Sequence, residues 1–311
     1  MSLYDAHQHF HFDPLTPHRA AIDADLRRVG LKGAVVNGTN EEEWPVIADL
    51  ARQYDWIRPS YGLHPWDCGN RSPAWLSVLR AQLLADPHGA VGEIGLDRWI
   101  INGIRPDDPR LAGLRVAPLP EQAEVFIAQY ALAAELNRPA SIHCVQAWGA
   151  LHDLLQKTRG PARGFLLHGD TGPAEMINTF TDLGAYYSFN IEVLDRAGRA
   201  SPSAVVPPRG TRADKPDQPT SRAGSSGTTR PTRLELWKHV PTDRLLVETD
   251  APTKAPAGAH NRFPLGPDAD GSPINHPANI LAAYEALAEL RGVSLGNLTQ
   301  IVEQNFQRLF G

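Results

Sequence analysis

Eight short apolar runs punctuate this chain, and the stretches between them carry apolar residues three and four positions apart. The runs cover 3–10, 33–39, 57–64, 90–96, 140–145, 164–169, 185–190 and 245–250. Each is shorter than an ordinary helix, so each reads as a buried strand. The intervening stretches read as amphipathic helices: Val46, Ile47, Leu50 and Ala51 form one apolar stripe, and Phe126, Ile127, Tyr130, Ala131 and Ala134 another. Strand alternating with helix specifies parallel βα units. Eight such units are the number that closes a (β/α)8 TIM barrel; an open doubly wound sheet is the alternative. Two helical patterns, 278–290 and 298–310, end the chain, and the second is expected to turn Ile301, Phe306, Leu309 and Phe310 inward.

A barrel of this kind needs about 250 residues, so 311 residues are expected to make one domain, 1–311, with a surplus. Two segments break the alternation and hold that surplus. The first, 99–120, carries Pro106, Pro109, Pro118 and Pro120 and reads as a loop. The second, 198–233, has 6 Pro, 5 Ser, 5 Thr and 4 Gly with no apolar period. Such a composition buries too little to offset its ordering entropy, so a disordered insertion after the seventh strand is expected. Its six Arg and one Lys against two Asp give +5, so the overall -5 conceals -10 in the rest of the chain. The insertion is read either as a basic flap that gathers phosphate backbones or, as its composition favours, as a solvated low-complexity segment.

Only two cysteines are present, Cys68 and Cys144. They exclude a disulfide scaffold and a four-cysteine zinc site and point to a reducing compartment. Cys144 follows a histidine, but strand alternation turns it away from the mouth, towards a buried apolar role. No signal-like start and no run of about 18 apolar residues is found. The expectation is a cytoplasmic protein with no membrane partner.

The chemistry lies where the runs end. His7 and His9 close the first run two residues apart, so they share a face and can chelate one divalent ion; Asp5 shares that face. Glu93 lies in the fourth run among small and apolar residues, where a carboxylate is costly unless paired. The fifth run ends on His143, the sixth on His168 and the eighth on Glu248 and Asp250. Any one of these alone reads as structural, a hydrogen-bonded histidine or a helix cap. A barrel would bring all of them to its C-terminal mouth, where such enzymes keep their active sites. Nitrogen and carboxylate ligands in this number suit zinc, manganese or a similar ion, with enough for two ions and a bridging carboxylate.

Taken together, HxH, GEIGLD, SIHC, HGDTG and LLVETDAP, in this order and spacing, resemble the TatD family of metal-dependent hydrolases. Gly62-Leu63-His64-Pro65, Gln122 with Phe126, Pro241-Thr242-Asp243-Arg244, Asn275-His276-Pro277 and the terminal Asn305 to Gly311 extend the resemblance over 3–311 apart from the two insertions. The resemblance implies a barrel holding two divalent metal ions (Zn, Mn or Mg) and a deoxyribonuclease or phosphodiesterase activity on nucleic acid or a small phosphoester. By position, it makes His7 and His9 the ligands of a first metal, Glu93 the bridging carboxylate, and His143 and His168 the ligands of a second. It makes Asp250 a metal ligand that holds the attacking water and accepts its proton, so Asp250 and Glu93 are the catalytic pair. His64 either touches substrate or caps the turn before Pro65. Glu248 either supports a ligand imidazole from behind or stabilises the barrel mouth.

Two positions depart from the family pattern. Val145 stands where an arginine is common, which removes a bidentate phosphate contact. His168-Gly169-Asp170-Thr171-Gly172 replaces the usual His-Cys-Phe-Ser-Gly, and Asp170 adds negative charge at the mouth. Both bear on the substrate more than on hydrolysis. They leave open a second reading, in which the same barrel hydrolyses a carbonyl ester or amide such as an aminoacyl ester or a lactone. A non-enzymatic barrel kept as a binding scaffold would be expected to lack ligands, and all six are present.

Overall fold

Each of the eight apolar runs becomes a parallel strand in a computed structural model, which describes residues 1–169, 172–197, 232–268 and 271–311. The strands are β1 Leu3–Gln8, β2 Leu31–Asn37, β3 Ile57–Tyr61, β4 Ala90–Asp97, β5 Ala140–Val145, β6 Phe165–Leu167, β7 Ala185–Asn190 and β8 Leu245–Glu248. They lie in sequence order, each hydrogen-bonded to the next. The last returns to the first. The Asp250 amide donates to the His7 carbonyl at 2.9 Å and the His9 amide to the Ala251 carbonyl at 2.7 Å. This is the (β/α)8 barrel, and the doubly wound alternative falls.

Asp5 serves this closure. Its carboxylate accepts the Thr249 amide at 3.1 Å and the Thr249 hydroxyl at 2.5 Å, as well as the His7 amide at 3.2 Å. It ties β1 to β8 and does not stand with the histidines whose face it was expected to share.

The helices among the described residues are α1 Arg19–Val29, α2 Glu43–Gln53, α3 Trp75–Ala85, α4 Trp99–Asn102, α5 Leu119–Glu135, α6 Trp148–Lys157, α7 Ile177–Asp182, α8 Glu192–Ala197, α9 Arg233–Leu236, α10 Ile280–Arg291 and α11 Leu295–Phe310. None is long and apolar enough to cross a membrane. The expected stripes are shifted in detail. In α2 the buried side chains are Trp44, Ile47 and Leu50, while Val46 is exposed. In α5 the buried face runs through Gln122, Val125, Phe126, Gln129, Tyr130, Leu132 and Ala133. Two glutamines lie on that face, so a reading based on apolar spacing placed the stripe too far round. In α11, Phe306, Leu309 and Phe310 are buried as expected, but Leu298 and Val302 take the place foreseen for Ile301. Phe306 packs on Tyr4 of β1, with ring centroids 4.7 Å apart and the rings tilted, which fastens the chain end to β1. Burial of each such ring contributes about 1.5–3 kcal/mol.

The segment 99–120 is not all loop. Asp97 Oδ1 accepts the amides of Trp99 at 2.7 Å and Ile100 at 3.1 Å, which starts α4 directly behind β4. The 198–233 insertion falls on 198–231, outside the described residues, except at its end. There Thr232 caps α9 in a reciprocal pair with Glu235, so helix resumes at Arg233. Cys68 and Cys144 are buried, and neither forms a disulfide among the described residues.

His276 precedes the short 3-10 turn Pro277–Asn279 that leads into α10. Its Nδ1 accepts the Ala278 amide at 3.0 Å, and Nε2 lies 3.4 Å from Asp25 on α1. Burial lowers its pKa to about 4 despite Asp25. A histidine that stays neutral when folded but titrates near 6.5 when unfolded stabilises fully above that value. The contribution is lost as the pH falls from about 6.5 towards 4, up to about 3 kcal/mol. The stability gap between wild type and His276→Asn is therefore expected to shrink across that window in denaturant melts at stepped pH. A gap independent of pH would contradict this account.

Candidate metal centre

Because alternate residues of a strand share a face, His7 and His9 at the end of β1 turn their rings together into the mouth. Their Nε2 atoms are 3.2 Å apart. Nitrogens bound at about 2.05 Å to one tetrahedral ion lie about 3.3 Å apart. Glu93 Oε2 is 3.3 Å from His7 Nε2 and 3.4 Å from His9 Nε2. Asp250 Oδ1 is 3.8 Å and 3.5 Å from the same two nitrogens. Four donor atoms thus surround one point at spacings a divalent cation fits.

The other oxygen of Glu93 faces a second group. Oε1 is 2.9 Å from His143 Nδ1 and 2.8 Å from His168 Nε2, and those two nitrogens are 3.2 Å apart. The His7 and His168 rings stack at 3.8 Å, so the two groups are adjacent. A carboxylate with one oxygen towards each group has the geometry of a bridge. All six residues of the expected ligand set come together, and their clustered imidazoles and carboxylates could bind metal.

Bonds to the far side of each ring hold it in place. His9 Nδ1 lies 2.7 Å from the Asn37 carbonyl, which fixes the proton there and leaves Nε2 bare. His7 Nδ1 lies 3.2 Å from Ser141 Oγ. His143 Nε2 lies 3.3 Å from Asp97 Oδ2, which also accepts the Trp66 indole N–H at 2.7 Å. Glu248 was open to two readings, support of a ligand imidazole or bracing of the mouth; its Oε1 is 3.9 Å from His168 Nδ1, beyond a hydrogen bond. It instead accepts from Ser188 Oγ and, at 3.4 Å, from Asn190 Nδ2, bracing the β7–β8 mouth while its charge faces the imidazole.

His64 makes the turn-capping contact expected of it and also lies next to the cluster. Nδ1 accepts the Trp66 amide at 3.2 Å, which caps the turn, and Nε2 lies 3.3 Å from Glu93 Oε1, beside the second group. Val145 ends β5 with no cation, and Asp170 lies outside the described residues.

Four residues around the site carried no assigned role in the sequence. Asp97 is the hub between His143, Trp66 and the start of α4. Gln122 on α5 accepts the Asp97 amide at 2.8 Å and donates to the carbonyls of Asp97 and Ala117 at 3.1 and 3.0 Å. Gln129, one helical face further on, accepts the Leu63 amide at 2.7 Å and donates to its carbonyl at 3.1 Å, fixing the residue before His64. Fully buried glutamines two turns apart on an otherwise apolar helix were the signal for both. Lys254 is the fourth: its Nζ bonds Asp250 Oδ2 at 2.7 Å.

The electrostatics keep the two carboxylates of the cluster ionised. Burial alone would raise the Glu93 carboxyl, but His168, His64 and His7 outweigh it and hold it well below the ordinary range. Asp250 is likewise held well down against burial, by Lys254 and then His9. Burial, helped by the neighbouring His168, keeps His7 neutral by lowering it to about 4. Burial pulls His168 down too, but Glu93 and Glu248 prevail and push it to about 10.

The model of one family, described as TatD related DNase, matches residues 4–210 and 223–311. The chain belongs to that family. The match breaks only at 211–222, inside the low-complexity insertion. A TatD relative from Escherichia coli, named 3'-5' ssDNA/RNA exonuclease, is 28% identical over 283 residues, covering 91% of this chain and 88% of the relative. The YabD protein of Bacillus subtilis, named an uncharacterized metal-dependent hydrolase, is 25% identical over 99% of this chain and 98% of its own length. Among solved structures, the TatD homologue YJJV of Escherichia coli superposes with a TM-score of 0.73 at 23% identity, covering 99% of this chain and 97% of that one. That likeness supports the fold.

Gln122 anchors the Asp97 hub, so Gln122→Met, of similar volume, leaves three backbone groups without their partner. It is expected to cost about 2–4 kcal/mol, read from urea melts. A loss below about 0.5 kcal/mol would show that the clamp is dispensable.

Proposed function

We propose that this protein is a divalent-metal-dependent phosphodiesterase of the nuclease type, acting from the 3' end of single-stranded DNA or RNA or on a related small phosphoester. The observation that carries the reading is Glu93, whose two oxygens face two separate pairs of imidazole nitrogens at 2.8–3.4 Å. Membership in the TatD related DNase family and the names of its relatives support the substrate class.

In this reading His7, His9, Glu93 and Asp250 hold one ion, and Glu93, His143 and His168 hold the other, with zinc, manganese and magnesium the candidates. Bound there, the ions supply Lewis acidity: they lower the pKa of a water and draw charge from a phosphoryl oxygen. The chain's own residues do the rest. Asp250 turns Oδ1 towards His7 and His9, where it orients the attacking water and takes up its proton. His64, beside Glu93 Oε1, meets the substrate. Asp97, bonded to His143 Nε2, holds that ring with Nδ1 towards Glu93.

Val145 favours a second reading, since no arginine fork meets a phosphate at the end of β5. There the same water attacks the carbonyl of an aminoacyl ester, lactone or amide. A panel of single-stranded DNA, bis(p-nitrophenyl) phosphate, lactones and aminoacyl esters separates the two, with Mg2+, Mn2+ or Zn2+ added in turn. Turnover of the phosphodiesters, abolished by chelation and restored by one of the ions, is expected. Turnover of carbonyl substrates alone would transfer the assignment to the second reading.

His143→Ala and Asp250→Ala are each expected to lower kcat at least about a hundredfold with little change in folding. Near-normal turnover in the double variant would refute the assigned roles. Asp97→Asn keeps the side-chain shape and weakens the hold on His143, so metal affinity is expected to drop about 10–100-fold, measured by competition with a chromophoric chelator.

A further inference from the structure

Lys254 is the one cation bonded to the six-residue cluster among the described residues, and nothing in the family motifs accounts for it. It sits four residues beyond Asp250 in the loop after β8, and its Nζ is 2.7 Å from Asp250 Oδ2 with the side chain 26% exposed. Asp250 presents its other oxygen to His7 and His9, so the ammonium stands directly behind the carboxylate that faces the reacting region.

The ammonium also spans the mouth. A Cβ added at Gly169, just beyond β6, would lie 3.1 Å from Lys254 Nζ and 3.3 Å from Glu248 Oε1. The chain therefore has no side chain where the ammonium passes, between the ends of β6 and β8. Lys254 further lines a cleft of about 510 Å3 that opens beside the cluster, together with Phe12, Glu192, Pro252, Thr253 and Ser272. Its backbone is held at φ 52°, a left-handed conformation that costs a side-chain-bearing residue about 1–2 kcal/mol. The ion pair to Asp250 is a contact that offsets this strain.

We propose that Lys254 is a substrate-binding residue whose ammonium holds a non-bridging oxygen of the scissile phosphate or of the product phosphate. An ammonium has three N–H donors in a cone, and the bond to Asp250 uses one of them. Lys254 also lines the cleft, which places it beside a ligand that enters there. A point cation at β8 thus does from the opposite side of the mouth what a guanidinium at position 145 on β5 would otherwise do. It binds without a bidentate fork, so it grips a phosphate by charge and tolerates more than one orientation of the ester. The proposal rests on the phosphodiesterase reading for its substrate, but the anion site itself can be tested apart from turnover.

The test uses the full chain loaded with Mn2+ and inorganic phosphate as the probe, titrated calorimetrically into wild type, Lys254→Met and Lys254→Arg. Manganese content is measured on each sample by elemental analysis. Lys254→Met keeps the aliphatic stem and removes the charge. It is expected to weaken phosphate binding at least about tenfold at unchanged manganese content, and Lys254→Arg is expected to recover most of the loss. Phosphate binding equal to wild type in Lys254→Met would overturn the proposal. So would a loss of manganese that parallels the loss of phosphate, since Lys254 would then act only by positioning Asp250. Hydrolysis of bis(p-nitrophenyl) phosphate by wild type is assayed alongside. If wild type turns over no phosphodiester while phosphate binding still depends on Lys254, the functional reading fails and the anion site stands. If wild type is active and Lys254→Met binds phosphate normally, the reverse holds.

Discussion

A single buried carboxylate organises the mouth of this barrel. Glu93 lies on the inner face of β4 with 3% of its surface exposed. An ionised carboxylate in such a place costs several kcal/mol unless hydrogen-bonding or positive partners meet it. Five imidazoles do: His7, His9, His64, His143 and His168 each place a ring nitrogen within 3.4 Å of one of its oxygens. They come from four strand ends, so the pairing can exist only if the barrel closes in the right register. Fold and site are in this sense one constraint.

The closure is itself built partly from polar groups. Asp5 spends its carboxylate on Thr249 and the His7 amide, locking β1 against β8 at the level where His7 and Asp250 must meet. Asp250 adopts φ 54°, an unfavourable conformation for a residue with a side chain. Its amide bond to the His7 carbonyl and the ion pair to Lys254 hold it there. Strain of this kind gathers where a side chain must be aimed rather than merely packed. Gln122 and Gln129 do similar work from outside the barrel, since α5 fixes the loops behind Asp97 and His64 with paired amide bonds. Loops anchored in this way position their side chains nearly as firmly as strands do.

Much of this was legible before any coordinates. The period of the apolar runs set the strand count, and strand ends rich in His, Glu and Asp marked the mouth. Two strands, β5 and β7, match their expected limits residue for residue. The others differ by one to three residues at one or both ends, because the apolar runs continue into loops that are buried over the mouth. The helix stripes were less legible. Val46 has the spacing of a core residue and points to solvent, while Gln122 and Gln129 lack the chemistry of core residues and lie fully buried. Hydrophobic periodicity weighs each residue by its own solubility, and a glutamine whose amide is wholly paired is no longer a polar residue in that sense.

The sequence by itself determined the alternation, the number of βα units and the identity of the residues able to bind a cation, because these depend on side-chain type and spacing along the chain. Tertiary structure alone decided their partnerships. It drew Asp5 away from the histidines into the barrel seam, placed Glu248 beyond bonding distance of His168, made Asp97 the support of His143, and carried Lys254 across the mouth to Asp250. Each of these joins residues dozens to hundreds of positions apart or separated by a turn. A distance across the barrel is set by strand register and loop conformation, and neither leaves a periodic trace in the chain.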